Sequence, residues 1–518
     1  MNCFAHLFCC SCYSFHRGAF TPRQLVHAAK SAGANAAALT DYRGLYGAVP
    51  FYRAAREAGI RPIFGASFPA PTPGGALIVL ARDAGGYGNL CRLITADQLA
   101  RPKPGRDPEA RSAGRETPDV SAPGQRDLLD LALEFAEGLV FLTSDPDFLE
   151  RLRPHLARDA LYAEFFRGES ARSRHLMRRV CELARKLDLR GAATNRVHFL
   201  APEDHAFHRL LRAIGTLKTV ETLTDEDMAP PSCFFASPAQ MAESFRDLPD
   251  ALRATVDIAE ACEVNLPLGR MRMPDFDAGA GASPEEVLRE ACRSAIPRFY
   301  APPNRPAAQV RLEHELEVIC SMGYAPYFLA VADVVRFAND QGIPATGRGS
   351  AADSLVSYLL GFTHVDPIAH NLYFERFLNR ERSSPPDVDI DLCWRRRDDV
   401  IDYVYRRWGE DRVAMISTHV TYAGRSCVRE VGKAMGLSEG EIGQYTRYLP
   451  HLGAADFSNV RKERPESRHL DFEAEPMRSI APLAKRIEGY PSHLGVHPSG
   501  IVVSPEPLTN WVPLERAA

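Results

Sequence analysis

The sequence predicts an α/β protein in successive parts, and three observations carry that prediction. Short apolar strands alternate with helical segments over residues 1–270, the pattern of repeated βα units. The run Pro385-Pro386-Asp387-Val388-Asp389-Ile390-Asp391-Leu392 alternates with a period of two, which reads as a strand. Ahead of it, the glycine-rich stretch Ala345-Thr346-Gly347-Arg348-Gly349-Ser350 reads as a turn leading into an apolar, helix-favouring segment, Ala351 to Leu360. At 518 residues the chain has room for about two to four domains.

Taken in order, Ala36 to Asp41 is expected as a strand, Phe51 to Ala58 as a helix, and Arg61 to Ala66 and Ala76 to Ala81 as further strands. Such units build an α/β barrel or a layered sheet, and Asp41 falls where a strand gives way to a loop, a usual place for catalytic groups. Residues 101–126, rich in Pro, Gly and charge, are expected as an exposed loop. Thr255 to Asn265 closes the first half as a helix, and 266–284 reads as a linker. Beyond it, Arg311 to Cys320 carries Leu312, Leu316 and Ile319 on one helical stripe, and Val331 to Gln341 is a second helix. Asp398 to Trp408 turns Val400, Ile401, Val404 and Tyr405 inward. Arg425, Arg429 and Lys433 share one helical face, either a solvated surface or a track for DNA phosphates. Residues 454–475 read as a loop, and the run Tyr490 to Gly500 as re-entering an apolar strand, Ile501-Val502-Val503.

Composition excludes little. Hydrophobic content of 45% and charged content of 25% are ordinary for globular domains, and a net charge of −4 gives no global signature of nucleic-acid binding. A local basic groove would still serve, because phosphate attraction acts at the scale of the groove. The twelve cysteines form no paired Cys-x-x-Cys modules, so a reduced, cytoplasmic setting is expected. No apolar run approaches the ~18 residues of a membrane span, and no membrane association is expected.

The chemistry concentrates in residues 344–397. In a strand, Asp387, Asp389 and Asp391 share one face while Val388, Ile390 and Leu392 face the core. Three carboxylates on one face repel, and a divalent cation is the natural counter-charge. Magnesium (Mg2+) favours one or two carboxylates together with phosphate oxygens. In the turn, Gly349 lets the backbone approach a ligand, Ser350 is placed to cap the following helix, and Arg348 supplies a fixed cation suited to phosphate. A phosphate-binding turn beside an acidic metal pair is what nucleotidyl transfer requires. Arg382 and Arg397 are further candidates for phosphate contacts, against ordinary ion pairing with Glu381, Asp398 or Asp399.

Gly347-Arg348-Gly349-Ser350, then Tyr373-Phe374-Glu375-Arg376-Phe377-Leu378-Asn379-Arg380-Glu381-Arg382, then Pro386-Asp387-Val388-Asp389-Ile390-Asp391, in this order, resemble the palm of C-family bacterial DNA polymerases. That family comprises the DNA polymerase III alpha subunit and its error-prone relatives. The resemblance implies that Asp389 and Asp391 are two of three catalytic aspartates and that Arg348, Gly349 and Ser350 hold the triphosphate. It implies Mg2+ as cofactor, and primed DNA template and dNTPs as partners.

The first half resembles the family's polymerase-and-histidinol-phosphatase (PHP) domain, with its metal motifs altered. A His-x-His pair is represented by His6-Leu7-Phe8, an Asp-His pair by Asp41-Tyr42, a glutamate by Ser67, and an Asp-x-His pair by Arg196-Val197-His198. His6, Asp41 and His198 remain as a vestigial set, which disfavours a phosphoesterase and slightly favours an error-prone role. The expected layout is a PHP-type α/β barrel over 1–268, the first part of a palm with mixed sheet and helices over 269–420, a helical thumb over 421–490, and a returning palm segment over 491–518. The third aspartate and the fingers are expected beyond this return. The chain is therefore expected to need a second polypeptide for activity, or else to be a non-catalytic DNA- or partner-binding remnant.

Overall fold

The computed structural model describes residues 4–101, 126–269, 272–274, 276, 281–381, 386, 388–449 and 465–516. Contacts divide the chain into two units: 1–266 with 417–497 and 509–518, and 267–416 with 498–508.

The first unit is built on a six-stranded sheet in sequential order: β1 (Ala36–Tyr42), β2 (Arg61–Pro69), β3 (Ala76–Ala81), β4 (Leu139–Thr143), β5 (Leu161–Phe166) and β6 (Arg190–Thr194). β2 runs antiparallel to β3 and β3 to β4, while the other neighbours are parallel. These strands are apolar on both faces because both faces are covered. In β3, Leu77 and Val79 enter one apolar cluster with Leu39, Phe64 and Phe141, while Ile78 and Leu80 enter another with Ile63, Leu142 and Ile258.

The N-terminal stretch curls this sheet. Ala38 N–H donates to the His6 carbonyl at 2.9 Å, Val197 N–H donates to Phe8 at 2.9 Å, and Cys10 N–H donates to Val197 at 2.9 Å. One short segment thus bridges β1 at one edge and the residues just after β6 at the other. The helices around the sheet start at recognisable caps: Pro22–Ser31 opens with a Thr21/Gln24 capping box, and Pro238–Ser244 with Ser237/Gln240.

The stretch expected as a thumb, 421–490, packs within this first unit. Val428, Val431, Ile480 and Ile487, from the helices Gly424–Ala434 and Met477–Ile487, share an apolar cluster with Phe199, Phe207, Leu210 and Leu211. His16 Nε2 and Tyr422 Oη lie 2.6 Å apart.

The second unit is mainly helical, with Pro284–Phe299, Arg305–Ser321, Ala325–Asp340 and Arg397–Trp408. Its core holds Leu312, Leu316, Ile319, Phe328, Phe362, Phe374 and Phe377. Against these helices lies a two-stranded antiparallel sheet of β7 (Ala345–Arg348) and β8 (Asp389–Leu392). A second two-stranded sheet pairs β9 (Val413–Thr421) with β10 (Pro491–Val503).

Several sequence expectations change here. The glycine-rich stretch is not a turn opening a helix but a strand, β7, followed by a 3-10 turn over Gly349–Asp353. The α-helix proper is only Leu355–Leu359, capped by Ser354 rather than Ser350. The strand expected at Ile501-Val502-Val503 is longer than those residues, with β10 beginning at Pro491. Residues 102–125 and 450–464, which include nearly all of the expected loop at 101–126 and half of that at 454–475, lie outside the described residues, as do parts of the linker at 270–280. Among the described residues, no single helix is long and apolar enough to cross a membrane.

Candidate functional site

Register in the β7/β8 pair sets the first constellation. Arg348 faces Asp389 and Thr346 faces Asp391, while Gly347 faces Ile390. The two-residue period then puts Asp389 and Asp391 on the exposed face and tucks Ile390 and Leu392 toward the helices. Arg348 Nε lies 3.3 Å from Asp391 Oδ1 and 3.9 Å from Asp389 Oδ2. All three side chains are more than half exposed, at 59–64%. Two neighbouring carboxylates therefore share one water-screened cation.

Glycine is needed in this strand pair for a specific reason. A Cβ on Gly347 would come within 2.6 Å of the Phe362 carbonyl oxygen, which accepts from Gly347 N–H. Gly349 has φ +69°, a left-handed conformation that turns the chain from β7 into the 3-10 segment.

The helix start beyond that turn is already filled by an anion from the protein. Glu315, fully buried, accepts from Ser354 Oγ at 2.7 Å, Leu355 N–H at 3.0 Å and Val356 N–H at 3.1 Å, and pairs with Arg311 Nε at 2.7 Å. Burial pushes the Glu315 carboxyl up, and the Arg311 guanidinium works against that push. Arg311 also donates to the carbonyls of Asp353 and Leu372, at 3.3 and 3.1 Å. The helix N-terminus expected to receive phosphate is thus taken by Glu315, a residue that the sequence reading did not single out. What remains open beside the aspartates is Arg348 and the Gly349-Ser350 turn.

The other arginines are engaged locally. Arg397 donates to the Pro498 carbonyl at 2.8 Å and lies 3.4 Å from Asp398, and Arg380 pairs with Glu317 at 2.6 Å. Arg429 and Lys433 both pair with Glu439, at 3.0 and 2.7 Å, and Arg425 donates to the Leu449 carbonyl at 2.6 Å. Arg382 and Asp387 lie outside the described residues.

The second constellation lies in the first unit, at the strand ends expected to hold a vestigial metal set. Asp41, at the end of β1, accepts from Ser11 N–H at 2.7 Å and from the hydroxyls of Ser11 and Ser14 at 2.9 and 2.7 Å. Burial raises its carboxyl to about 6 despite these donors. His6 Nε2 donates to the Ala236 carbonyl at 2.8 Å, and His198 Nδ1 to the Arg17 carbonyl at 3.1 Å. Burial lowers both imidazoles to about 4. Ser67 Oγ donates to the Thr40 carbonyl at 3.0 Å, and the Arg17 guanidinium covers the Tyr42 ring at 4.0 Å.

Arg196 is the decisive replacement. It donates from Nε to Glu164 Oε1 at 2.9 Å and from Nη2 to Glu164 Oε2 and Ser144 Oγ at 2.7 Å each. Its Nη1 donates to the Gly74 carbonyl at 2.7 Å, and the guanidinium packs over Phe166 at 4.4 Å. Glu164 is buried and accepts also from Thr194 Oγ at 2.7 Å. Sequence reading found this cation but missed Glu164, its partner. A signal was present, since a glutamate inside the apolar strand Leu161–Phe166 requires a buried cation. These residues fit a metal poorly: Asp41 is spent on Ser11 and Ser14 and a guanidinium is fastened to Glu164, although His6 Nδ1 is buried without a hydrogen-bond partner among the described residues. Among the described residues no group of three or more His, Cys, Asp or Glu side chains has ligand geometry.

Residues 286–518 match the bacterial DNA polymerase III alpha NTPase domain, and residues 6–162 match the PHP domain. The chain is 35% identical over 524 residues to the DNA polymerase III subunit alpha of Bacillus subtilis (strain 168), covering 99% of this chain and 46% of that protein. It is 37% identical over 542 residues to the error-prone DNA polymerase of Symbiobacterium thermophilum, covering 99% and 49%. The error-prone DNA polymerase of Mycobacterium tuberculosis (strain ATCC 25618 / H37Rv) matches at 33% over 531 residues, covering 99% and 46%. Over 99% of its length the chain is similar to these C-family DNA polymerases. It spans about half the length of the curated relatives it matches. The β7/β8 pair falls in the polymerase III alpha match, and the Glu164–Arg196 pair lies two residues beyond the PHP match at its nearer end.

Proposed function

We propose that this chain works in DNA-directed DNA synthesis, contributing to nucleotidyl transfer from a dNTP to a primer 3′ end on a primed template. The observation that carries the reading is the β7/β8 register, which places Arg348 against Asp389 and Asp391 on one exposed face. Two exposed carboxylates are hard oxygen donors that suit a divalent cation, and Arg348 is the cation that balances them otherwise. Asp389 and Asp391 would hold magnesium. Bound there, the metal would supply activation of the primer hydroxyl and neutralisation of triphosphate charge.

The chain's own groups divide the remaining work. Arg348, planar and permanently charged, can leave the aspartates for the phosphate oxygens of an arriving dNTP. The backbone at Gly349 and the Ser350 hydroxyl offer donors on the same turn. Glu315 and Arg311 keep that turn in place by holding Ser354 and the carbonyls of Asp353 and Leu372. Arg397 and Arg382 are proposed phosphate contacts, and Arg425, Arg429 and Lys433 a proposed DNA-backbone track, each exchanging a local acceptor for a phosphate oxygen where the structure describes one. The altered PHP motifs support an error-prone rather than a main replicative role, and the buried, unpaired thiols suit the cytoplasm.

Primer extension with magnesium and four dNTPs tests this, comparing the parent with Asp389→Ala and Asp391→Ala across template designs and salt concentrations. Extension lost in both variants supports the reading. Extension in neither the variants nor the parent under any combination, with DNA binding retained, leaves a non-catalytic DNA-binding protein.

A further inference from the structure

The chain immediately after β8 exposes a side chain that the fold does not use. Trp394 is 80% exposed, the most exposed large apolar residue among the described ones, only three residues past Asp391. Tryptophan carries a large apolar surface, and leaving it in water forgoes burial worth several times that of a methyl group. Among the described residues no aromatic ring packs on it, and the ring contact described is with the adjacent Arg395, whose guanidinium carbon lies 5.3 Å from the ring centroid.

The surrounding charge says what would cover it. Three arginines follow the tryptophan in a row. Arg396 is tied to Asp399 at 2.8 Å, and Arg397 to the Pro498 carbonyl and Asp398. Arg395 is exposed and, among the described residues, pairs with no carboxylate. An uncovered π-face beside an uncommitted guanidinium matches a nucleotide, which offers a flat base and a phosphate a few ångströms apart. Every base has a π-face, so such a platform accepts any sequence. The reach is also right. Three residues of chain span at most about 10 Å, so the ring stays within nucleotide distance of the carboxylate pair.

We infer that Trp394 is a stacking platform for an unpaired nucleobase of the template strand, with Arg395 holding the adjoining phosphate. This rests on the polymerase reading for the identity of the strand, but not for the binding itself.

The experiment is equilibrium binding of fluorescein-labelled oligo(dT) and of a primed template with a single-stranded 5′ overhang to the 518-residue chain, without dNTPs or divalent metal, at several salt concentrations. Trp394→Ala should weaken binding of oligo(dT) by about tenfold, the loss of one base–aromatic stack. Trp394→Phe should recover most of it. Arg395→Ala should lower the salt dependence by about one counterion. A blunt duplex should be indifferent to Trp394→Ala. Equal binding by Trp394→Ala and parent, no recovery by Trp394→Phe, or no binding by the parent overturns the inference and points instead to a protein surface over the ring. Circular dichroism of each variant checks the fold, which an exposed side chain should not disturb. Failure here with extension still lost in Asp389→Ala leaves the polymerase reading standing. Stacking confirmed without extension leaves a strand-binding surface only.

Discussion

Arg196 and Arg348 each stand beside a carboxylate at a strand, and they teach opposite lessons. Arg196 meets a buried glutamate with two parallel donors, spends its remaining N–H groups on Ser144 and Gly74, and is itself only 12% exposed. Arg348 meets two exposed aspartates, and its approach to Asp389 is 3.9 Å. Burial makes the first pair permanent, because separating it would strand a charge in a medium that cannot solvate it. Exposure makes the second pair exchangeable, because water and salt already do most of the screening. One arginine is part of the fold, while the other rests on an exposed pair, where the function proposed above would seat a metal ion or a phosphate.

The largest test of that contrast is chemical. Asp389→Ala or Asp391→Ala should reduce primer extension by about 10³-fold or more, since a lost carboxylate removes several kcal/mol of charge stabilisation. Stability should barely change, as measured by thermal melting. At the buried pair the signs reverse. Glu164→Ala should destabilise the first unit by about 3–5 kcal/mol by leaving Arg196 uncompensated. The double variant Glu164→Leu with Arg196→Met should recover most of that in urea unfolding. Equal loss in the double variant would show that packing, not charge, holds this pocket.

Acid sharpens the contrast further. His6 and His198 are lowered to about 4 by burial, below the ordinary 6.5. Between those values the unfolded chain binds protons that the folded chain does not. Stability should therefore fall as pH drops from about 6.5 to about 4, by an order of 3 kcal/mol per histidine. Asp41, raised to about 6 by burial, works the other way, gaining stability as pH falls through the same range. Asp41→Asn should then steepen the acid loss, and His6→Phe should flatten it, in melts recorded from pH 7 to pH 4.5. The smallest effect belongs to the exposed arginine. Arg348→Ala should tighten manganese binding by only a few-fold, measured by electron paramagnetic resonance, because an exposed pair contributes about 1 kcal/mol or less. Unchanged affinity would mean that Arg348 does not rest on the aspartates in solution.

What the sequence revealed tracks how local the cause was. The shared face of Asp389 and Asp391 followed from a period of two, and the strands β1 to β3 from apolar runs. The cap at Ser354 did not follow, because it depends on Glu315, which reaches that helix only through tertiary packing. Ser350 looked right by position and lost to a distant carboxylate. The length of β10 did not follow from the apolar run Ile501-Val502-Val503, because Pro498, Gly495 and Gly500 are poor strand residues that a two-stranded sheet with open edges tolerates. Arg196 was visible as a misplaced cation. Its partner Glu164 could have been found by asking what a lone charge in an apolar strand would need.

The division of the first unit along the chain bears on how the protein is made. Phe199, Phe207, Leu210 and Leu211 find part of their apolar cover only in residues 422–490, after the second unit's main segment has been threaded between. At ~5–20 residues per second, translation leaves that face uncovered for on the order of 10–40 s. The nascent chain thus carries a built-in waiting period, in which the curled sheet can form while its neighbouring helices are still being synthesised. A ribosome-associated holdase would find its substrate there, on the Phe207 helix, rather than at the acidic strand.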